Sequence, residues 1–315
     1  MQYKQLGTTD LHLSVLGYGA SPLGSVFKDI EESIGIRTVH TALDQGINYI
    51  DCSPYYGLTK AEAVLGKALK GVSRDKYILS TKAGRYGPDF SDFDMSPTRI
   101  QRSLEESLQR LGVDELDIFL LHDIEFVDLE QVIHESLPYL ERLKQEGKIR
   151  YFGVTGYPLE SFKRIVEQCD IDCILSYCRY ALHDDSLTQL LPLLGEKGVG
   201  IINASPTAMG LLTKRGGPDW HPASPELIAC CNAAEALCAR EGVDITQLAM
   251  QFAVQHPSIS STLVGTANPT NLLNNINWIN EPINDNLVQS IRLVFEGCLQ
   301  TVWASGKVEN QDKPF

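Results

Sequence analysis

Eight apolar segments that alternate with amphipathic helical segments along 315 residues predict a (β/α)8 TIM barrel. Most of these segments are nearly continuous hydrophobic runs, as expected for parallel strands that are buried on both faces. The strands are predicted at 13–19, 47–52, 76–82, 116–122, 150–156, 173–178, 199–205 and 261–266. No low-complexity linker divides the chain, so residues 1–315 are predicted to form a single domain.

The helices are marked by caps and by apolar spacing. In the segment 96–112, Ser96 is a predicted N-cap, Pro97 takes the first helical position and Gly112 ends the helix. Further helical patterns are found at 33–46, 129–147, 185–198, 224–242 and 284–297.

The two chain ends carry different signals. Residues Met1–His12, with a turn at Gly7–Asp10, predict a short β-hairpin that caps the bottom of the barrel. Residues 304–315 form a polar C-terminal tail, which we expect to be loose beyond Ser305.

A doubly wound Rossmann sheet is the alternative architecture. Its phosphate-binding fingerprint requires G-x-G-x-x-G after the first strand, at the start of a helix. Gly17 and Gly19 close the first predicted strand, but Pro22 and a misplaced third glycine at Gly24 spoil the match. The barrel is therefore the preferred fold.

Composition restricts the classes of partner. The formal net charge of −13 disfavours binding to nucleic acid or to an anionic membrane surface. There is no apolar run long enough to span a bilayer and no N-terminal signal pattern, so we expect a cytoplasmic protein. The eight cysteines form neither a CxxC pair nor a zinc-type cluster, and we expect them to be reduced and no metal to be bound.

Three predicted strands end in polar side chains that can transfer or stabilise a proton. Asp51, Lys82 and His122 each stand at such an end, and Tyr56 follows Asp51 by five residues. The C-terminal ends of the strands share one face of a parallel barrel, and that face carries the chemistry. Each residue alone could form a salt bridge or pack against its neighbours. Four such residues at or near the ends of successive strands of one barrel instead indicate a catalytic site.

These residue types suit the interconversion of an alcohol and a carbonyl. The phenol of Tyr56 can carry the proton, although its ordinary pKa of about 10 is high for work near neutrality. A neighbouring Lys82 cation, held by Asp51, would lower that pKa. His122 can form a hydrogen bond to the substrate oxygen and orient it.

Two later segments have the character of a cofactor site. Residues 203–213 follow the seventh predicted strand, and residues 265–276 follow the eighth, with Asn268 as an N-cap and Pro269 as the first helical residue. Phosphate sites of barrels commonly lie there, at a helix N-terminus. Ordinary loop-to-helix capping is the alternative interpretation.

The chain resembles the aldo-keto reductase superfamily over nearly its whole length, and within it the L-galactose dehydrogenases of plants. The segments that carry the likeness are GASPLGSVF (19–27), SPYYG (53–57), HDIEF (122–126), LKQEGK (143–148), ILSYC (174–178), AMGLLT (208–213) and WHPASPEL (220–227). The resemblance implies that Asp51, Tyr56, Lys82 and His122 are the catalytic tetrad. It also implies NAD-dependent oxidation of a small sugar, L-galactose, at C1 to the lactone, in ascorbate biosynthesis.

The resemblance also directs attention to binding residues. For the cofactor we expect Gly19, Thr155, Ser176, Ser205, Gly210, Leu211, Gly265, Thr266, Asn271 and Asn275. For the sugar we consider Ser21, Asp123, Trp220 and Trp303, for which loop packing is an equally good interpretation.

The chain departs from the family pattern at three places around the nicotinamide. Thr155 and Gly156 replace a Ser-Asn pair, Ser176 stands near the usual glutamine, and Ala204 replaces a stacking aromatic residue. Thr155 and Ser176 are our expected partners of the carboxamide.

Cofactor preference depends on two further positions. Relatives that prefer NADP carry a Lys and an Arg for the 2′-phosphate where this chain has Gly265 and Asn271. This difference predicts a preference for NAD, unless Arg215 reaches the phosphate from another loop.

Other functions share this fold. An NADPH-dependent reductase of aldehydes or ketones of the pyridoxal type and a dehydrogenase of another aldose, such as L-fucose, are the alternatives. A cofactor-sensing regulatory subunit is a third, which the complete tetrad disfavours.

Overall fold

A computed structural model describes residues 1–26 and 28–312 of the protein and places eight parallel strands in a closed barrel. The strands are β3 (Leu16–Gly19), β4 (Tyr49–Asp51), β5 (Ile78–Ala83), β6 (Leu116–Leu121), β7 (Ile149–Gly156), β8 (Cys173–Tyr177), β9 (Gly200–Ala204) and β10 (Ser261–Gly265). They pair in the order β10-β3-β4-β5-β6-β7-β8-β9, which confirms the predicted (β/α)8 fold.

Helices surround the barrel. They are α1 (Glu32–Asp44), α2 (Lys60–Leu69), α3 (Pro97–Leu111), α4 (Leu129–Gln131), α5 (Leu137–Gln145), α6 (Leu159–Gln168), α7 (Leu191–Lys197), α8 (Pro225–Arg240), α9 (Ile245–Gln255), α10 (Pro269–Asn280) and α11 (Asp285–Val294). A π-helical turn, Val132–Ser136, joins α4 to α5. The sequence patterns had not indicated α2, α6 or α9. Helices α8 and α11 pack together around a second apolar core.

The predicted hairpin closes the bottom of the barrel. Its strands β1 (Tyr3–Gln5) and β2 (His12–Ser14) are antiparallel, so its second strand takes two residues that had been predicted for the first barrel strand. Leu6, Leu11 and Leu13 are buried in the apolar cluster that fills the barrel interior. This end of the barrel is therefore filled by side chains.

The C-terminal segment is attached to the barrel along its length, and the expectation of a loose tail beyond Ser305 is wrong for residues 306–312. Asn310 is buried, and its Nδ2 donates hydrogen bonds to the carbonyls of Glu125 (3.0 Å) and Val127 (2.8 Å). Asp312 accepts one from the Glu160 N–H at 2.9 Å. We call residues 303–312 the C-terminal strap. Residues 313–315 of the predicted tail, like Phe27, lie outside the described residues.

The expectation that every cysteine is reduced is also wrong. Cys230 and Cys298 form a disulfide between α8 and the segment that follows α11. Only tertiary packing brings together residues 68 positions apart, so cysteine spacing could not reveal the pair. Cys52, Cys169, Cys173, Cys178, Cys231 and Cys238 are free.

In the part of the chain that the structure describes, no helix is both long and apolar enough to cross a bilayer.

Candidate active site

The four predicted catalytic side chains meet at the C-terminal end of the barrel. Asp51 is the last residue of β4, Lys82 is the next-to-last residue of β5, and His122 follows β6 directly. Tyr56 lies on the loop between β4 and α2. All four line a single cavity of about 900 Å³.

Lys82 and Asp51 form a buried ion pair. Lys82 Nζ lies 2.5 Å from Asp51 Oδ2 and also donates to the Cys52 carbonyl at 2.8 Å. Asp51 Oδ1 accepts from the Ser80 hydroxyl at 2.7 Å. Burial alone would lower the pKa of Lys82, but attraction to Asp51 and Tyr56 outweighs it and raises the pKa above its ordinary value. Lys82 is therefore a fixed cation.

Two glycines allow the loop that carries Tyr56 to pack closely against a neighbouring segment. A Cβ on Gly24 would lie 2.5 Å from the Tyr56 carbonyl oxygen, and one on Gly57 would lie 2.1 Å from the Gly24 carbonyl oxygen. Gly57 also has a φ of +63°, which favours glycine. The Tyr56 N–H donates to the Ser53 carbonyl at 3.1 Å, which holds the loop in a turn.

The pKa of Tyr56 moves in the direction opposite to our expectation. Lys82 Nζ lies 5.0 Å from the centre of the Tyr56 ring, and this cation does lower the pKa. Burial of the phenol is the larger effect, however, and Asp51 and Asp123 add to it, so the pKa lies above its ordinary value. Tyr56 is therefore a phenol rather than a phenolate at neutral pH.

His122 is held as a neutral imidazole beside Tyr56. The two rings meet edge to face, with centres 5.7 Å apart. Burial lowers the pKa of His122 to about 3; Lys82 and Arg85 also lower it, and Asp123 opposes them. His122 Nδ1 lies 3.0 Å from Ser53 Oγ. The Ser53 hydroxyl also accepts from the Tyr55 N–H, and His122 Nε2 faces the Asp123 carboxylate. We therefore assign the tautomer in which Ser53 donates its hydroxyl proton to Nδ1 and the ring N–H is on Nε2.

A second ion pair adjoins His122. Arg85 Nη1 lies 2.5 Å from Asp123 Oδ2, and the same oxygen lies 3.7 Å from His122 Nε2. Burial would raise the pKa of Asp123, but the charge and hydrogen bond of the Arg85 guanidinium hold it below its ordinary value. Arg85 was not predicted as a site residue. It stands three positions beyond Lys82, so the expectation that polar residues near the strand ends face the active site could have included it.

Most of the residues expected at the cofactor line the same cavity as the tetrad. These are Gly19, Thr155, Ser205, Gly210, Gly265, Thr266, Asn271 and Asn275. The Thr155 hydroxyl is already engaged, because it accepts from the Asp123 N–H at 2.9 Å.

Two expected cofactor residues are not brought to the cavity. Leu175 and Tyr177 line it from β8, so the alternation of side chains along a strand places Ser176 on the opposite face. Ser176 is fully buried, and its Oγ has no partner among the described residues. Leu211 is buried in the second apolar core. The structure therefore does not bring the side chains of Ser176 and Leu211 to the cavity.

The backbone around the cavity suits a bound dinucleotide. Ser205, Ala208, Met209 and Gly210 all have positive φ, a conformation that costs energy in residues other than glycine and is typical of functional loops. Successive N–H groups in such a loop can form a concave site for an anion. The N-terminus of α10, capped by Asn268, adjoins the same cavity. A pyrophosphate could be held between these two segments.

The residues considered for the sugar are divided between two cavities. Ser21, Asp123 and Trp220 line the cavity that contains the tetrad. Trp303 lines a neighbouring cavity of about 470 Å³, together with Trp220 and Tyr177, which belong to both. Ala204 on β9 replaces the stacking aromatic residue of the family pattern, and it pairs in register with Tyr177 on β8. An aromatic side chain is therefore present on the neighbouring strand.

Among residues 1–26 and 28–312, no group of three or more His, Cys, Asp or Glu side chains is arranged to hold a metal ion.

Comparison with known proteins identifies the class. The profile of the Aldo/keto reductase family matches residues 15–295, and the chain belongs to this family. An aldo-keto reductase from Bacillus halodurans, in its holo form, has a similar structure, with a TM-score of 0.77 and 28% sequence identity. The match covers 99% of this chain and 100% of that one.

Two characterised relatives are similar in sequence. The L-galactose dehydrogenase of Arabidopsis thaliana is 44% identical, over 98% of this chain and 99% of the relative. The D-threo-aldose 1-dehydrogenase of a Pseudomonas species is 31% identical, over 85% of this chain and 90% of the relative.

Proposed function

We propose that this protein is an aldose 1-dehydrogenase that oxidises the C1 hydroxyl of L-galactose to the lactone. The observation that carries the proposal is the meeting of Tyr56, His122 and the Lys82–Asp51 pair in one cavity. The similarity to the Arabidopsis enzyme supports the choice of sugar. We also propose that the protein serves ascorbate synthesis, as the resemblance to plant enzymes implies, and that it works in the cytoplasm.

The oxidation removes a hydride from C1 and a proton from the hydroxyl group on C1. A nicotinamide cofactor bound in this cavity would supply the acceptor for the hydride from C1. Tyr56 takes the hydroxyl proton, and Lys82, fixed by Asp51, stabilises the phenolate that must form before this transfer. His122, held neutral by burial, donates from Nε2 to the reacting oxygen and so places it against Tyr56.

We propose NAD as the preferred cofactor. Gly265 and Asn271 offer no cation to a 2′-phosphate. They line a groove of about 420 Å³ that also contains Lys28 and Arg215. The carboxylates of Asp29 and Glu31 line the same groove and match these cations, so no net positive charge remains to compensate the phosphate.

The second candidate is a reductase of aldehydes or ketones with the same active site. The observation that favours it is the raised pKa of Tyr56, which burial produces. A phenol that keeps its proton at neutral pH is a ready donor to the oxygen of a carbonyl substrate. Oxidation of another aldose, such as L-fucose, would use the same residues as oxidation of L-galactose.

The absorbance of reduced nicotinamide distinguishes these functions. The protein should reduce NAD in the presence of L-galactose, and it should do so faster than with L-fucose. Rapid oxidation of NADPH by an aldehyde, with little activity toward any aldose, would instead establish the reductase. Inactivity in every combination would contradict both.

A further inference from the structure

The Arg85–Asp123 pair is built into the wall of the cavity beside the catalytic residues. The Arg85 guanidinium lies 3.9 Å from the centre of the Tyr55 ring and 5.3 Å from that of Phe93. Stacking on aromatic faces fixes the plane of a guanidinium and preserves its charge. The pair therefore presents a fixed cation and a fixed anion to whatever enters the cavity.

Asp123 is held in an unusual backbone conformation. Its φ is +54°, in the left-handed region that few residues other than glycine adopt. The Thr155 hydroxyl accepts from its backbone N–H at 2.9 Å and donates to its Oδ1 at 3.3 Å. Thr155 thus fixes both the backbone and the carboxylate of Asp123 in this conformation.

Both partners retain hydrogen-bonding capacity. A carboxylate can accept about four hydrogen bonds, and Asp123 receives one from Arg85 and one from Thr155. A guanidinium has five N–H donors; in Arg85, Nη1 is bonded to Asp123 and Nε to the Gly87 carbonyl. A sugar hydroxyl, which both donates and accepts, can satisfy such a pair.

The pair lies where the second hydroxyl of a substrate would be. The reacting oxygen must come within hydrogen-bond reach of Tyr56 and His122. Asp123 Oδ2 is 3.7 Å from His122 Nε2. Hydroxyls on adjacent ring carbons lie about one hydrogen-bond length apart, so a carboxylate at this position is within reach of a hydroxyl next to the reacting one.

We propose that the Arg85–Asp123 pair binds the 2-hydroxyl of the aldose and thereby selects substrates that carry a hydroxyl next to the oxidised carbon. The hydroxyl donates to the Asp123 carboxylate and accepts from the Arg85 guanidinium. This inference rests on the proposed aldose dehydrogenase activity and adds the part of the sugar that is recognised.

A pair of substrates that differ only in this hydroxyl tests the inference. The value of kcat/KM is measured for L-galactose and for 2-deoxy-L-galactose, or for D-arabinose and 2-deoxy-D-ribose, which share the ring configuration at C3 and C4. The unchanged protein should prefer the 2-hydroxylated sugar by roughly 10- to 100-fold, because a hydrogen bond to a charged group is lost without it. Asp123→Asn should reduce this preference by about tenfold or more.

The control is Asp114→Asn, which removes an exposed carboxylate before the other end of the same strand, β6, and should keep the full preference. Arg85→Met is an independent variant that should also reduce the preference, with the exposed Arg102→Met as its control. A variant that acted only by disturbing His122 would lower kcat/KM for both sugars equally, so the ratio of the two values would not change. The inference is therefore overturned if Asp123→Asn and Arg85→Met leave the ratio unchanged. If the unchanged protein oxidises neither sugar, the proposed function fails, and this inference fails with it.

Discussion

Ser305 donates a hydrogen bond to Glu125 Oε1 at 3.0 Å and joins the C-terminal strap to the segment that follows β6. Glu125 is fully buried, and the same oxygen accepts from the Tyr157 N–H at 3.2 Å. Burial and the nearby charge of Asp123 raise the pKa of Glu125 to about 8. The strap is thus attached to a carboxyl group that is neutral under ordinary conditions.

We predict that Glu125→Gln makes the protein less sensitive to alkaline pH. An unfolded Glu has a pKa of about 4.3, so the folded state binds the proton more tightly. Its contribution to stability is complete below that value, declines as pH rises toward about 8, and levels off above it. Thermal unfolding at about pH 5 and pH 9 should show a smaller loss in Glu125→Gln, by at least about 1 kcal/mol. The exposed Glu135→Gln is the control, and parallel losses in all three proteins would contradict the assignment.

For proton transfer, we predict that Tyr56→Phe retains cofactor binding and loses turnover by about 10²- to 10⁴-fold, because the phenol is the proposed proton carrier. Steady-state rates measure turnover, and fluorescence titration measures cofactor binding. Tyr139→Phe, which removes a phenol bonded to Gln101 on the helical layer, should keep both. Near-normal turnover of Tyr56→Phe would remove Tyr56 from its proposed role.

The rate of sugar oxidation should rise with pH to at least about pH 10, since oxidation requires the deprotonated form of Tyr56 and burial raises its pKa above the ordinary value. In the double variant Asp51→Asn, Lys82→Met the rise should move to still higher pH, because the lost effect of Lys82 on this pKa is larger than that of Asp51. The double change avoids leaving a buried charge unpaired. The pH profile of kcat measures both effects, and a flat profile for the unchanged protein would refute the base.

For cofactor choice, we predict that the protein prefers NAD to NADP by at least about tenfold in kcat/KM, or about 1.4 kcal/mol. Adding cations by Gly265→Lys with Asn271→Arg should narrow the gap. The Gly265 position is crowded, since a Cβ there would lie 3.2 Å from the Pro22 ring, so Asn271→Arg alone is a useful second variant. Leu273→Arg, on the same helix, controls for added charge.

The complementary test removes a cation, Arg215, that the same groove already contains. If it supports binding of the 2′-phosphate, Arg215→Ala should widen the preference for NAD, while kcat/KM for NAD changes little. Equal use of the two cofactors by the unchanged protein would show that Lys28 and Arg215 outweigh the carboxylates of Asp29 and Glu31.

The catalytic cluster could be predicted from sequence because its information is local. Asp51, Lys82 and His122 stand at or immediately beyond the ends of apolar runs, and parallel topology then brings those ends together. The hairpin and the eight strands were predictable for the same reason.

What failed depended on register and on distant contacts. Whether a residue near a strand end faces the cavity changes with every position, so Tyr177 lines it and Ser176 does not. The bond between Ser305 and Glu125 spans 180 positions, and the polar composition of the strap gives no sign of it. A polar segment with few apolar residues resembles a free tail until its partners are known.

The hairpin has a consequence for how this protein could be altered. Leu6, Leu11 and Leu13 seal one mouth of the barrel, so every reactant must enter and leave through the other. The residues that stabilise the closed end and the residues that select the substrate therefore lie at opposite ends of the barrel. Loops at the open end can be exchanged to accept new substrates without disturbing the hairpin. The packing of the hairpin can in turn be strengthened for thermal stability without changing the active site.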